Sequence, residues 1–544
     1  MRYDNGGDLL VAILRELGID TVFGIVSVHN LPLVEAVDRD LRFVPVRHEA
    51  SAVNAADAYG RARGSIGCAL TSTGTGAGNA AGSLIESLSA GSSVLHVTGQ
   101  VESEFLGSGR GFIHETKDQL GMLTAVSAHA ATVTDTEGAG RILREAARAS
   151  LGGPAGPGGP VSVEWPIDLQ YAPQTDGPAV PVFPAVPAPT DGELAAAGEL
   201  LASARRPLVW AGGGATGARP ELARLLEATG AGLLTSNSGR GTVPEDHEQV
   251  IGNFATTPAA RALLADADVL LTIGTHFRSN ETADYTLDLP AAHIQIDVDA
   301  AALGRVYPVA HPLHGDAAPT LAALTGHATP AEDGWSERVR AVRSEVRAHL
   351  HDAIGPQAAI CDAIRAALPR EAVVARDVTI PSSSWGNRLL EMYDPRDNVF
   401  PRGGGIGQGL GMGIGAALAR PDAPTVVLAG DGGLAVHLGE LLTLAQERPR
   451  LTLIVFNDGG YGVLRNMQDR HSERRSGVDL VTPDFELLAR ACGLPYLRIA
   501  AEEHAAPVIG EAVASDGPTL VEVDLAALGP MKNPFTPPVR IPGR

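Results

Sequence analysis

Short apolar, β-branched runs alternate with longer stretches of helical period along most of the chain. GCALTST (67–73), PLVWAGGG (207–214), VLLTIG (269–274) and LTLIVFND (451–458) are compact runs with turn residues at their ends, and segments such as DGELAAAGELLASA (191–204) carry a helical repeat. Continuous apolar strands separated by helices predict parallel sheets covered on both faces. The fold class is therefore α/β, with the pattern occurring in three successive blocks. Two composition shifts divide them. PQTDGPAVPVFPAVPAPTDG (173–192) holds six prolines, which excludes a regular element and predicts a stiff extended connector. GHATPAEDGW (326–335) loses apolar periodicity before a charged helical stretch. The expected organisation is a first domain over 1–172, a linker over 173–190, a central domain over 191–330 and a last domain over 350–544, each a doubly wound parallel sheet.

Composition narrows the partners. A length of 544 residues exceeds what one core supports. The net charge of −21 repels polyphosphate backbones and argues against nucleic acid, although a small anion can still bind locally. Cys68, Cys361 and Cys492 have neither metal nor CxxC spacing and form no disulfide framework, which fits a reducing cytoplasm. The first residues lack a basic segment followed by an apolar stretch, and no run reaches membrane-spanning length, so a soluble, unprocessed protein is expected.

Candidate chemistry enters at two acidic turns. The run TVVLA (425–429) leads into Gly430-Asp431-Gly432-Gly433, a helix over 434–447 is expected to cross over, and LTLIVF (451–456) leads into Asn457 and Asp458, followed by Gly459 and Gly460. In a parallel sheet these are neighbouring strand ends at the carboxyl edge, where ligands bind. Taken singly, an Asp-Gly pair is an ordinary turn. As a pair, two carboxylates and a carbonyl freed by glycine form an incomplete oxygen octahedron suited to Mg²⁺, which is typically completed by water and phosphate oxygens.

The Gly-Asp-Gly turn, followed by NDGGYG (457–462), resembles the thiamine diphosphate signature of the acetolactate synthase and pyruvate decarboxylase superfamily. The resemblance implies three domains, the first holding the pyrimidine and the last the diphosphate, with Asp431, the side chain of Asp458 and the Gly460 carbonyl as Mg²⁺ ligands. It sets Gly430, Gly432, Gly433, Asp458, Gly460 and Tyr461 around the cofactor. Asp458 departs from the commoner Asn and adds a negative charge. FVPVRHEASAVNAADAYGRARG (43–64) resembles the segment bearing the catalytic glutamate, here Glu49; a lone Glu at a helix start is otherwise a charge favoured by the dipole. The following 70–100 resembles the same domain nearly end to end. PRGGGIGQGLGMGIGAALARPD (401–422) places Gly405 and Ile406 where the family keeps the apolar residue that bends the cofactor. An Ile packed beside a Gly-rich helix start would look the same.

Two regions bear on further ligands. Gly212, Gly214 and Gly217 satisfy GxGxxG after a strand, but the next strand ends without the acidic residue that a ribose requires. The resemblance explains this block as a central domain in which some members hold FAD and others nothing, and bound FAD is not expected here. In VFGIVSVHNLPLVEAV (22–37), Val28 stands where pyruvate decarboxylases carry an aspartate that helps protonate the intermediate. That substitution favours ligation to a second carbonyl over release of an aldehyde. His114 falls where related enzymes keep an active-site Gln or His, and Lys117, Arg465 and Arg470 are candidates for meeting a carboxylate. The resemblance thus implies decarboxylation of a 2-oxo acid such as pyruvate with carboligation, in a homodimer at minimum and a homotetramer by expectation. The alternatives are a non-oxidative decarboxylase or carbon–carbon lyase and, in another class, a catalytically silent cofactor-binding homologue acting as an assembly partner, against which the retained Glu49 argues.

Overall fold

The computed structural model describes residues 1–152, 158–177 and 188–537. Three six-stranded parallel sheets, each flanked by helices, make up the molecule. The first has the order Arg42–Pro45, Thr21–Gly24, Gly67–Thr71, Val94–Gln100, Val161–Pro166, His129–Thr132. The last repeats that winding with Asn398–Val399, Val373–Arg376, Thr425–Gly430, Leu451–Asn457, Thr519–Asp524 and Tyr496–Ile499. The central sheet runs Val250–Gly252, Gly232–Thr235, Pro207–Ala211, Val269–Ile273, His293–Asp297, His311–His314, so its first three strands lie in reverse chain order. The inner strands are wholly buried, which is why their sequences read as unbroken apolar runs rather than as alternation.

The helices Glu49–Arg63 and Gly409–Ala419 join the first and last domains. Both are buried along almost their whole length and are rich in Ala and Gly. A Cβ added at Gly415 would lie 2.0 Å from the Ala55 carbonyl oxygen, so only glycine permits this approach. Contacts advance together along the pair, with Gly411 against Ser51 and Asn54 and Gly415 against Ala55. The neighbouring elements agree: the Arg47 N–H donates to Glu440 at the start of helix Glu440–Glu447, and Arg42 pairs with Glu447 at its end. The two sheets therefore stand side by side with their carboxyl edges facing the same way. The largest apolar core runs without a break from Leu208 and Trp210 through Trp335 and Val339 of helix Trp335–Ala353 to Val426 and Leu428. Among the described residues no helix is long and apolar enough to cross a membrane.

Two details differ from the sequence expectation. The single helix expected over 434–447 is three pieces, Asp431–Leu434, a 3-10 turn Ala435–His437 and Glu440–Glu447. The tight turn carries the His437 ring to the Gly407 carbonyl, with Nδ1 at 2.8 Å. In the proline-rich connector, Gln174 and Thr175 pair antiparallel with Arg2–Tyr3, and the Thr175 N–H donates to the Thr136 carbonyl. Thr190 and Glu193 form a capping box at the start of helix Asp191–Ala202. Residues 178–187 of the expected linker lie outside the described residues.

Candidate active site

Asp431 and Asp458 end adjacent, hydrogen-bonded strands, the pairing running from Thr425–Leu451 to Gly430–Phe456. Asp431 is 2% exposed, and its Oδ2 accepts the Gly460 N–H at 2.8 Å. Burial raises its pKa despite the backbone N–H groups of Gly432, Gly460, Gly459 and Asp458. Burial, and next the charge of Asp431, push Asp458 up to about 6. Its Oδ1 is buried without a hydrogen-bond partner. Arg465 pins this turn by donating to the carbonyls of Asp458 and Gly459 while pairing with Asp479, so it is committed to the turn rather than free for a substrate carboxylate. Arg470 reaches Thr536 at 3.5 Å. Gly432 faces the Gly460 carbonyl and the Tyr461 ring, which a Cβ there would meet at 2.9 and 2.8 Å.

Two buried carboxylates with raised pKa values, one with an unpartnered acceptor oxygen, fit a cation site. Among the described residues no three His, Cys, Asp or Glu side chains gather as a metal cluster, so a cation here would take its remaining oxygens from backbone, water and ligand. That donor set suits Mg²⁺ carrying a diphosphate.

Gly405 and Ile406 lie on the loop between strand Asn398–Val399 and helix Gly409–Ala419. Two carboxylates hold this loop. Glu86, from helix Thr75–Ala90 of the first domain, accepts the N–H groups of Gly403 and Gly405, each at 2.6 Å. Asp377, directly after strand Val373–Arg376, accepts those of Gly407 at 3.0 and 3.1 Å and of Gly409 at 3.2 Å. Burial raises the pKa of Asp377. Ile406 itself stands exposed between the two anchor points.

In the first domain Glu49 is the first residue of its helix, and one oxygen accepts from Asn79 Nδ2 at 3.0 Å. A Cβ on Gly76 would lie 3.0 Å from the other oxygen, so glycine keeps this side open. Gly76 is in the first turn of helix Thr75–Ala90, whose N-cap, Gly74, presses on the backbone of His114: a Cβ there would lie 2.5 Å from the His114 carbonyl. His114 has a left-handed backbone (φ 68°) and an exposed side chain whose Nδ1 is 3.3 Å from Nδ1 of His29. His29 is 4% exposed, and burial, then His114, lower its pKa. Its loop is tied to the sheet by Asn30, whose Nδ2 donates to the carbonyls of Ile25 and Thr71, each at 3.0 Å. Val28 points outward, 67% exposed.

Glu49, His114 and Ile406, with the turns of Asp431 and Asp458, thus all sit on the carboxyl edges that face one way. Sequence reasoning passed over His29, Glu86 and Asp377. Asp377 carried the same signal as Asp431, an acid closing an apolar run, and Glu86 is an acid beside Leu84 and Ser87 on a buried helical stripe.

Of the glycines in the GxGxxG run of the central domain, Gly212 and Gly214 are spent within the sheet, whereas a Cβ on Gly217 would meet open space. The N–H of Gly212 donates to Ile273 and that of Gly214 to Gly274, and a Cβ on Gly212 would lie 2.1 Å from the Gly274 oxygen. The neighbouring Arg278 and Arg402 reach the first domain at the carbonyls of Ser89 and Ala90.

Comparison with known proteins places this geometry. The N-terminal TPP binding domain of the thiamine pyrophosphate enzymes matches residues 4–122, their central domain 194–324, and their C-terminal TPP binding domain 381–523. A Pseudomonas aeruginosa protein named probable 2-ketoarginine decarboxylase is 34% identical over 496 residues, covering 90% of this chain and 88% of that one. The large subunit of Escherichia coli acetolactate synthase isozyme 2 is 29% identical over 545 residues, 96% of each chain. A probable acetolactate synthase large subunit of Methanocaldococcus jannaschii is 29% identical over 562 residues, 97% of this chain and 93% of that one.

Proposed function

The chain belongs to the thiamine pyrophosphate enzyme family, and from that premise we propose that it removes carbon dioxide from a 2-oxo acid and joins the remaining acyl unit to a second carbonyl compound. The observation that carries this reading is that Glu49, on the carboxyl edge of the first sheet, and Asp431, Asp458 and Ile406, on that of the last, face the same way, with the loop of Ile406 and the turn of Asp431 held by backbone N–H contacts and Glu49 by Asn79. When bound, thiamine diphosphate supplies the electron sink for decarboxylation. Asp431, Asp458 and the Gly460 carbonyl would hold Mg²⁺ and through it the diphosphate. Ile406 would pack against the cofactor, and the Glu49 carboxylate would hold or release a proton toward its pyrimidine. Holding these groups before substrate arrives replaces a costly encounter by a fixed geometry.

The side-by-side edges of a single chain support a homodimer as the smallest active unit, because a second copy facing the first sets the Glu49 of one chain opposite the metal turn of the other. Exposed Val26, Val28, Ile406 and Val436 favour a covered edge. A homotetramer belongs to the same proposal, and so does a cytoplasmic setting, for which the three free thiols speak.

One structural feature favours a second reading, release of a free aldehyde. Val28 cannot give a proton, but the adjacent residue, His29, forms a pair with His114. A relative named for decarboxylation of 2-ketoarginine points the same way. The deciding experiment presents pyruvate and 2-ketoarginine to the protein with thiamine diphosphate and Mg²⁺, with and without acceptor aldehydes, and identifies products by mass spectrometry. A ligated 2-hydroxy ketone or acid supports the first reading, aldehyde alone the second. No carbon dioxide from any 2-oxo acid in a wider panel would sink both.

A further inference from the structure

Two imidazoles that meet through the same ring atom are constrained in their proton positions. His29 Nδ1 and His114 Nδ1 lie 3.3 Å apart, so one carries hydrogen and the other a lone pair. The two residues are not equivalent. His29 is nearly sealed from water and is held by its neighbours: Phe112 stands edge-on to its ring at 6.3 Å, and its carbonyl accepts from Gln170 at 2.8 Å. His114 is exposed, on a loop folded back on itself by Glu115, which accepts the N–H groups of Gly109, Gly111 and Phe112. The backbone of His114 rests on Gly74, at the start of the helix whose first turn faces Glu49.

Suppose His29 were the donor: protonating His114 would then set two N–H groups against each other and break the contact. With His29 as neutral acceptor, the bond survives whether His114 Nε2 holds a proton or has released it. We infer that His29 is a positioning residue that accepts from His114 Nδ1–H, fixing that ring so that Nε2 is the atom that passes a proton to the substrate. The inference rests on the decarboxylation reading and specifies its aldehyde branch: R–CO–COO⁻ plus one proton gives R–CHO and CO₂. The proton leaves His114 Nε2 for the carbon that loses CO₂, and solvent restores it. His29 changes neither charge nor tautomer in the step.

The first test needs no cofactor. Long-range proton–nitrogen NMR of the histidine-labelled protein, assigned with His29→Phe and His114→Gln, should show His114 protonated at Nδ1 and His29 protonated only at Nε2. A proton on His29 Nδ1 overturns the inference. In the holoenzyme, His29→Phe should lower aldehyde release on the order of 10-fold or more, part of what a positioned acid contributes. It should leave hydrogen–deuterium exchange at the thiazolium carbon at the wild-type rate. Unchanged aldehyde release in His29→Phe overturns the positioning role. Failure of wild-type protein with cofactor to exchange that proton defeats the decarboxylation reading instead, whatever the tautomers. The effects of His29→Phe and His114→Gln should also be strongly non-additive, and additive effects count against the pair.

Discussion

Replacing Glu86 by Gln tests whether the loop carrying Ile406 is held from the neighbouring domain. In the wild type one carboxylate accepts two N–H groups, those of Gly403 and Gly405, both at 2.6 Å, and Glu86 is 6% exposed. The amide of Gln keeps one acceptor oxygen but turns an N–H₂ group toward the other backbone N–H. One bond to a charged acceptor is lost, and a buried donor is left facing a donor. A bond of this kind is worth about 1.5–3 kcal/mol, which corresponds to about 10- to 150-fold in the local opening equilibrium. The assay is amide hydrogen exchange of the segment 401–409 by mass spectrometry, with exchange of helix Glu49–Arg63 as the internal reference. Exchange in the loop should accelerate by that factor, the reference helix should change little, and turnover should fall because Ile406 no longer holds one position. Glu86→Ala should open the loop further. If loop exchange in Glu86→Gln matches wild type, Glu86 does not hold this loop and the account of Ile406 support is wrong.

Three further outcomes follow from the same geometry. Asp431→Ala should abolish recovery of chelator-stripped protein by Mg²⁺ plus thiamine diphosphate, whereas Asp458→Asn, which removes the more exposed of the two crowded charges, should retain much of it; equal loss in both would refute the ligand mapping. Asp397 is pushed up to about 7 by burial and the charge of Asp394, against the pull of Arg420, so between 3.8 and 7 the folded chain keeps a proton that the unfolded chain has released. Stability should therefore fall as pH rises through that window, and urea titrations should show Asp397→Asn gaining about 3 kcal/mol on wild type between about pH 5 and pH 8; parallel pH curves would contradict this. Freshly purified protein should lack a stoichiometric flavin absorbance band, since the N–H groups of Gly212 and Gly214 are spent within the central sheet.

How much of this was legible in the sequence depended on distance along the chain. The three sheets were readable because their inner strands are buried on both faces and so appear as apolar runs with turn residues at their ends. Asp431 and Asp458 were readable as a pair because only one helical crossover separates their strands, so a right-handed βαβ unit makes them neighbours. The reach of Glu86 to Gly403 and Gly405 spans more than 300 residues and depends on how two domains pack. The meeting of His29 with His114 joins loops after strands that are not adjacent in the sheet, and strand order is absent from periodicity. Helix breaks were also hidden: 434–447 has helical spacing throughout, yet the chain tightens at Ala435–His437 to bring a side chain to the Gly407 carbonyl.

The shared orientation of the first and last sheets has a genetic consequence. If Glu49 and the Asp431 turn serve one site, as proposed, their shared orientation keeps one from closing over the other within a chain, and each complete site would draw its halves from different polypeptides. Two lesions that are each silent alone should then complement. A mixed population refolded from Glu49→Gln and Asp431→Ala chains would contain hybrids in which one site carries both defects and the other neither. Activity would reappear on mixing two inactive preparations, and two null alleles in one cell could support growth where neither does so by itself.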